Sequence, residues 1–170
     1  MNLPNKLSLF RLLLVPIILL ILYSNISYNV DIATAIFILA SVTDLIDGYI
    51  ARSRNIITNL GKFLDPLVDK VLVVSILIYL VYKQIIPDWM VIIIVAREFM
   101  VSGLRILSAS HGIVIAASKL GKLKTNSQIV AVIFAMQEWP FYWWLMFIAV
   151  ILTIVSGAHY IWKGRHLFKE

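Results

Sequence analysis

The sequence predicts an all-α integral membrane protein, with six transmembrane helices preceded by a short interfacial N-terminal helix. Three observations predict it. Of 170 residues, 61% are apolar and only 14% charged, with a mean hydropathy of +0.93, well outside the range of soluble domains. Apolar runs recur six times along the chain, most of them near the roughly 20 residues that cross a hydrocarbon core. The cationic residues then gather on one side of the resulting topology, the pattern of the positive-inside rule. Residues 1–170 are expected to form a single membrane domain. Cysteine is absent, which excludes disulfides, thiolate chemistry and cysteine-ligated zinc, so any metal must be held by oxygen or imidazole. The net charge of +6 is first a matter of topology and only then of partners.

Taken in order, Met1 to Phe10 mixes Asn2, Asn5, Lys6 and Ser8 with Leu3, Leu7 and Leu9, a composition suited to a short helix lying in the membrane interface. The first span follows, about Leu9 to Tyr23. No A-x-A-like cleavage site ends it, so it is expected to be retained and not removed as a signal peptide. The remaining spans run about Val30 to Ala51, Leu60 to Tyr82, Pro87 to Ser108, Ser127 to Met136 with help from the residues before it, and Phe141 to Trp162. An even number of spans puts both termini on one face. Lys6, Arg11, Arg52, Arg54, Lys62, Lys119, Lys122, Lys124, Lys163, Arg165 and Lys169 belong to loops and ends on that face, whereas Lys83 flanks the other. Both termini are therefore expected in the cytoplasm. Trp89, Trp139, Phe141, Tyr142, Trp143 and Trp144 fall at the opposite face and read as an aromatic belt.

Against this background Asp44, Asp47, Asp65 and Asp69 stand where apolar residues belong. Each Asp near the centre of a membrane helix costs roughly 2.5–3.5 kcal/mol, so four uncompensated ones would cost on the order of 10–14 kcal/mol. Bound cations offset such a cost. The second and third spans form a hairpin turning near Ser53 to Thr58, and at 1.5 Å per residue both Asp pairs lie about 8–15 Å inside their helices. Spacings of i,i+3 and i,i+4 put each pair on one helix face, and the two faces can converge. Four oxygen ligands on facing helices suit two divalent cations, Mg²⁺ or Mn²⁺.

Written out, the stretch reads D-x2-D-G-x2-A-R-x8-G-x3-D-x3-D, with Gly48, Ala51, Arg52 and Gly61 in the fixed gaps. It resembles the signature of the CDP-alcohol phosphotransferases, membrane enzymes that join a CDP-activated lipid or alcohol to a hydroxyl acceptor. The resemblance implies that Asp44, Asp47 and Asp65 bind metal and that Asp69 binds metal and acts as general base. Two divalent ions can clamp a pyrophosphate and neutralise charge developing in an in-line displacement. The small side chains of Gly48, Ala51 and Gly61 would admit a nucleotide to the helix backbone, and Arg52 can donate to phosphate. Taken alone, small residues also permit close helix packing, and Arg52 also anchors topology. Four intramembrane aspartates also suit a cation transporter or channel.

The fourth span and the residues after it carry a second set of charges. V-A-R-E-F-M-V-S-G-L-R, Val95 to Arg105, and A-S-K-L-G-K-L-K-T, Ala117 to Thr125, supply Arg97, Arg105, Lys119, Lys122 and Lys124. Arg97 and Arg105 lie about 80° apart around a helix, so both can point inward. Such a concentration of cations suits a second phosphate; the plainer reading is a solvated loop that attracts anionic headgroups. Glu98 can pair with Arg97, orient it or bridge helices. With the opening P-N-K-L-S-L-F-R, Pro4 to Arg11, these runs are similar to the branch of the family whose acceptor is sn-glycerol 3-phosphate. That resemblance implies attack of sn-glycerol 3-phosphate on CDP-diacylglycerol, the five basic residues holding the acceptor phosphate, Asn5 near the nucleotide, and a homodimer. A sibling acting on phosphatidylglycerol, a cardiolipin synthase, is the alternative within the family.

Overall fold

In the computed structural model the backbone is described for residues 3–53, 59–110, 118–163 and 165, and side chains for 7–43, 67–108, 118, 120–163 and 165. Six α-helices make up the described chain: α1 Leu3–Tyr23, α2 Asn29–Ser53, α3 Asn59–Tyr82, α4 Asp88–Ser110, α5 Lys119–Met136 and α6 Tyr142–Lys163. No strand occurs among the described residues. The helices fall into two compact units, Met1–Tyr82 and Lys83–Glu170.

In the first unit α1 packs on both α2 and α3. Each helix contributes a stripe spaced three or four residues apart: Val15, Ile18 and Leu22 on α1, Ala33, Phe37 and Ala40 on α2, Val68, Leu72, Ile76 and Leu80 on α3. That spacing keeps the buried residues on one face. Asn29 closes the α1–α2 turn: its side-chain amide donates to the carbonyls of Leu22 and Ser24, and its Oδ1 accepts from the Val30 N–H. One of the α1 carbonyls left open at its C-terminus, that of Leu22, thereby gains a partner. Two contacts fix α1 and α3 as parallel neighbours. Arg11 meets Asp69, and eleven residues further along α1 the Leu22 carbonyl accepts from Tyr79, ten residues beyond Asp69. Tyr23 packs edge-on against the Tyr79 ring at the same end.

The short interfacial helix expected before the first span is corrected here: Leu3 to Tyr23 is one unbroken helix. Pro4 falls in the first turn, where a missing N–H costs nothing. Pro16 lies inside and removes one rung, yet the helix continues through it, because the α1 stripe is packed on both sides of the break. Arg11, expected at an end of the chain, is accordingly a buried residue of α1.

In the second unit α6 packs on α4 and α5. Its buried face is Met146, Ala149, Val150, Thr153, Ser156, Gly157 and Tyr160, apolar in the first half and polar in the second. The expected aromatic belt gathers at the apolar end. Trp143 stacks on Phe147 with centroids 5.4 Å apart, and Trp89 of α4 meets the same ring edge-on. The α5–α6 turn is tight, with Glu138 and Phe141 both at positive φ, a conformation that side chains bearing a Cβ adopt only under tertiary constraint.

The fifth helix begins earlier than its apolar pattern indicates. Ser118 caps it, its Oγ accepting from the Gly121 N–H at 3.0 Å, so Lys119 to Thr125 form helical turns and not a loop. Capping residues of this kind are worth about 1 kcal/mol. Among the described residues, one helix, α6, is both long and apolar enough to cross a membrane, while Leu7–Tyr23 and Asn29–Thr43 are shorter apolar helical stretches. Charge is what separates α4 from them, with Asp88, Arg97, Glu98 and Arg105 in 23 residues.

Candidate active site

The carboxylates divide between α2 and α3. Asp44 and Asp47 fall 15 and 18 residues after the start of α2, and Asp65 and Asp69 six and ten after the start of α3. Counting from the α1–α2 turn, Asp44 stands about 22 Å along α2 and Arg11 about 18 Å back along α1, at 1.5 Å per residue. The backbone thus brings Asp44, Asp47 and the Arg11–Asp69 pair to the same end of the first unit. The side chains of Asp44, Asp47 and Asp65 lie outside the described residues, as do those of Asn5, Gly48, Ala51, Arg52, Gly61 and Lys119.

Asp69 is the one aspartate of the four whose surroundings are described. Arg11 Nη1 donates to its Oδ1 at 2.6 Å, with Arg11 2% exposed and Asp69 40% exposed. Arg11 Nη2 also stands 3.5 Å from the Ser8 hydroxyl, one turn back on α1. A buried guanidinium behind a half-open carboxylate does two things. It holds the carboxylate in one orientation, and it leaves Asp69 part-exposed. A carboxylate offers about four acceptor positions on two oxygens, so Asp69 can keep Arg11 and still take a proton or a cation. Among the described side chains no group of three metal-binding residues occurs. The donor set of the motif is four carboxylates of hard oxygen, the chemistry that fits Mg²⁺ or Mn²⁺.

The basic residues are only partly brought together. Arg97 Nη1 donates to Glu98 Oε1 at 3.0 Å, and the Lys124 ammonium of α5 donates to that same oxygen. Both cations are largely buried, 11% and 4% exposed. Neighbours on a helix do not ordinarily face each other, but two long side chains reaching the same way can still meet. Arg97 Nη2 donates to Ser156 of α6 at 3.0 Å, and the guanidinium lies 5.6 Å from the Tyr160 ring centroid, within cation–π range. The Tyr160 hydroxyl in turn accepts from the Ser118 N–H at 3.0 Å. Gly157 is what lets Arg97 lie on α6: a Cβ there would stand 3.0 Å from Arg97 Cγ.

Arg105 and Lys122 are exposed and lie outside this cluster. The expectation that Arg97 and Arg105 both point inward therefore holds for Arg97 alone. Eighty degrees of helix is enough to carry Arg105 off the face that α6 covers. Residues not singled out from sequence are Arg11, Ser8, Ser118, Ser156, Gly157 and Tyr160. A signal for three of them was present: Thr153, Ser156, Gly157 and Tyr160 repeat at helical spacing within an apolar span. Arg11 had none, because a cation near a chain terminus reads as topology.

Comparison with known proteins bears on this arrangement. Residues 1–155 match the family described as CDP-alcohol phosphatidyltransferase. The chain is 44% identical to the CDP-diacylglycerol–glycerol-3-phosphate 3-phosphatidyltransferase of Bacillus subtilis, over 99% of this chain and 97% of that protein. It is 43% identical to the enzyme of that name in Rickettsia typhi, over 76% of this chain and 73% of the relative. For the Escherichia coli K12 enzyme the identity is 37%, over 96% and 95%.

Proposed function

The chain belongs to the CDP-alcohol phosphatidyltransferase family, and from that premise we propose that it is a phosphatidylglycerophosphate synthase. It transfers the phosphatidyl group of CDP-diacylglycerol to sn-glycerol 3-phosphate, giving phosphatidylglycerophosphate and CMP. The names of relatives that match nearly end to end support the reaction. The observation that carries the acceptor is the meeting of Arg97 and Lys124 at Glu98, which gathers two buried cations on the second unit. The match over 1–155 spans both compact units and supports one catalytic domain.

Members of this family work with divalent metal ions. Asp44, Asp47, Asp65 and Asp69 would hold two of them, Mg²⁺ or Mn²⁺, which when bound withdraw charge from the pyrophosphate and make its phosphorus more electrophilic. The chain's own residues do the rest. Asp69 accepts the proton of the attacking acceptor hydroxyl as its oxygen bonds to the β-phosphorus. The bond from that phosphorus to the oxygen of CMP breaks, and CMP leaves with the electron pair. Arg11 keeps the Asp69 carboxylate oriented for that transfer. Arg97 and Lys124, with Arg105, Lys119 and Lys122 at the approach, bind the acceptor's phosphate. Gly48, Ala51 and Gly61 make room for the nucleotide, with Arg52 and Asn5 beside it.

The site sits in a multi-pass protein of the cytoplasmic membrane with both termini in the cytoplasm. Large apolar side chains exposed along the helices support the membrane setting, among them Leu13, Leu20, Leu39, Ile78, Ile92, Phe99 and Trp144, and the placing of the cationic residues supports the cytoplasmic termini. A soluble monomer rarely exposes so many. The family resemblance further implies a homodimer.

The test is CMP release by purified protein in detergent, given CDP-diacylglycerol, Mg²⁺ or Mn²⁺, and a panel of acceptors. CMP formed with sn-glycerol 3-phosphate is the expected result. Turnover with phosphatidylglycerol alone would move the chain to a cardiolipin synthase, and metal flux into vesicles without CMP would remove the enzyme reading.

A further inference from the structure

We propose that Glu98 is a positioning residue that pre-assembles Arg97 and Lys124 into an anion site. The proposal rests on the function given above and names the residue that organises its acceptor pocket. Arg97 on α4 and Lys124 on α5 donate to one and the same oxygen, Glu98 Oε1. Two buried cations held so close repel each other, and each is a long side chain with many rotamers to lose. One carboxylate oxygen between them removes both obstacles. Guanidinium and ammonium are fixed around a single oxygen, which is also how they would grip an oxygen of a phosphate.

A further observation distinguishes this cluster from a closed structural ion pair. Arg97 has donor capacity to spare: Nη1 serves Glu98, Nη2 serves Ser156, and among the described residues its buried Nε meets no acceptor. A purely structural cluster would be expected to close with its buried donors satisfied. A spare N–H in a preformed frame instead suits an incoming phosphate oxygen. Glu98 thus orders the pair before the ligand arrives, which lowers the ordering cost of binding.

The experiment compares wild type with Glu98→Gln and Glu98→Asp. Three quantities are read: KM for sn-glycerol 3-phosphate, KM for CDP-diacylglycerol, and calorimetric affinity for inorganic phosphate without divalent metal. Glu98→Gln should raise the acceptor KM about tenfold or more, weaken phosphate by a similar factor, and leave the CDP-diacylglycerol KM within about twofold. Glu98→Asp keeps the charge with one methylene less reach and should recover part of the loss. An unchanged acceptor KM overturns the proposal, as does a parallel rise in both KM values, the mark of general structural damage. Tighter phosphate binding in Glu98→Gln also overturns it, since Glu98 would then oppose anions. Should Glu98→Gln fail to fold, Glu98→Asp decides by the same selective rise in acceptor KM. If wild type uses another acceptor, the proposed function fails while the phosphate titration still judges Glu98.

Discussion

Arg11 and Asp69 are 58 residues apart in the chain, yet Nη1 and Oδ1 lie 2.6 Å apart, with the arginine buried and the aspartate half open. An aspartate assigned as general base is thus anchored by a helix that carries none of the motif. The pair should be felt in turnover. Replacing Arg11 by Met keeps volume but removes the donors, and a hydrogen bond to a charged group is worth about 1.5–3 kcal/mol. With Asp69 partly exposed the lower end applies. CMP release should fall about tenfold, and Arg11→Lys should recover some of it. Unchanged turnover in Arg11→Met would leave the pair a helix-packing contact only.

Asp69→Asn keeps an Oδ1 acceptor for Arg11 while removing the proton acceptor. Turnover should drop by about 10²–10⁴-fold, the range of general-base catalysis, with CDP-diacylglycerol binding largely intact. Binding measured by equilibrium methods alongside CMP release separates the outcomes. Equal loss of both would mean that Asp69 serves as a ligand and not as a base.

Gly157→Ala tests the seat of Arg97. The added methyl would approach Arg97 Cγ to 3.0 Å, a methylene near the root of the side chain that cannot swing away without moving the guanidinium. Overpacking of this kind costs about 1–3 kcal/mol. The acceptor KM should rise several-fold while the CDP-diacylglycerol KM stays put, and thermal unfolding in detergent should shift downward.

Tyr160 offers a way to separate ring from hydroxyl. Tyr160→Phe keeps the face under Arg97 but leaves the Ser118 N–H without its acceptor, a loss of about 1 kcal/mol in stability. Activity should stay within about threefold of wild type. Tyr160→Ala removes both and should add a clear rise in acceptor KM; identical kinetics in the two variants would show that the ring contributes nothing to Arg97.

Chelation tells the aspartates apart from the basic cluster. EDTA should abolish CMP release, and Mg²⁺ or Mn²⁺ should restore it, because the aspartates need cations to hold a pyrophosphate. Inorganic phosphate should still bind at Arg97 and Lys124, as read by calorimetry. Loss of that binding on chelation would place the phosphate at the metals.

Much of this was legible in the chain. Ten of the twelve helix ends fall within two residues of the ends of their apolar runs, because a helix that must bury or expose apolar surface announces its length in hydropathy. The two exceptions share a cause. The start of α1 and the first turns of α5 are helical but polar, and a hydropathy pattern does not register helix that is held by a cap such as Ser118 or by continuity with a buried stripe. Lys124 shows the consequence. Its plainer reading is a solvated loop lysine, yet it lies 4% exposed against Glu98 because those turns are helix and not loop.

The sequence by itself determined the family, the order of the helices and the placing of four aspartates on two of them, since motif spacing and helical period are local properties. It also marked Arg97 and Glu98 as charges out of place. Only the tertiary structure decided their partners. That Arg11 backs Asp69, that Glu98 joins Arg97 to Lys124 and that Arg105 stands outside depend on which helix lies against which and in what register. Periodicity shows which face of a helix is buried, but the neighbour on that face is set by packing between segments distant in the chain.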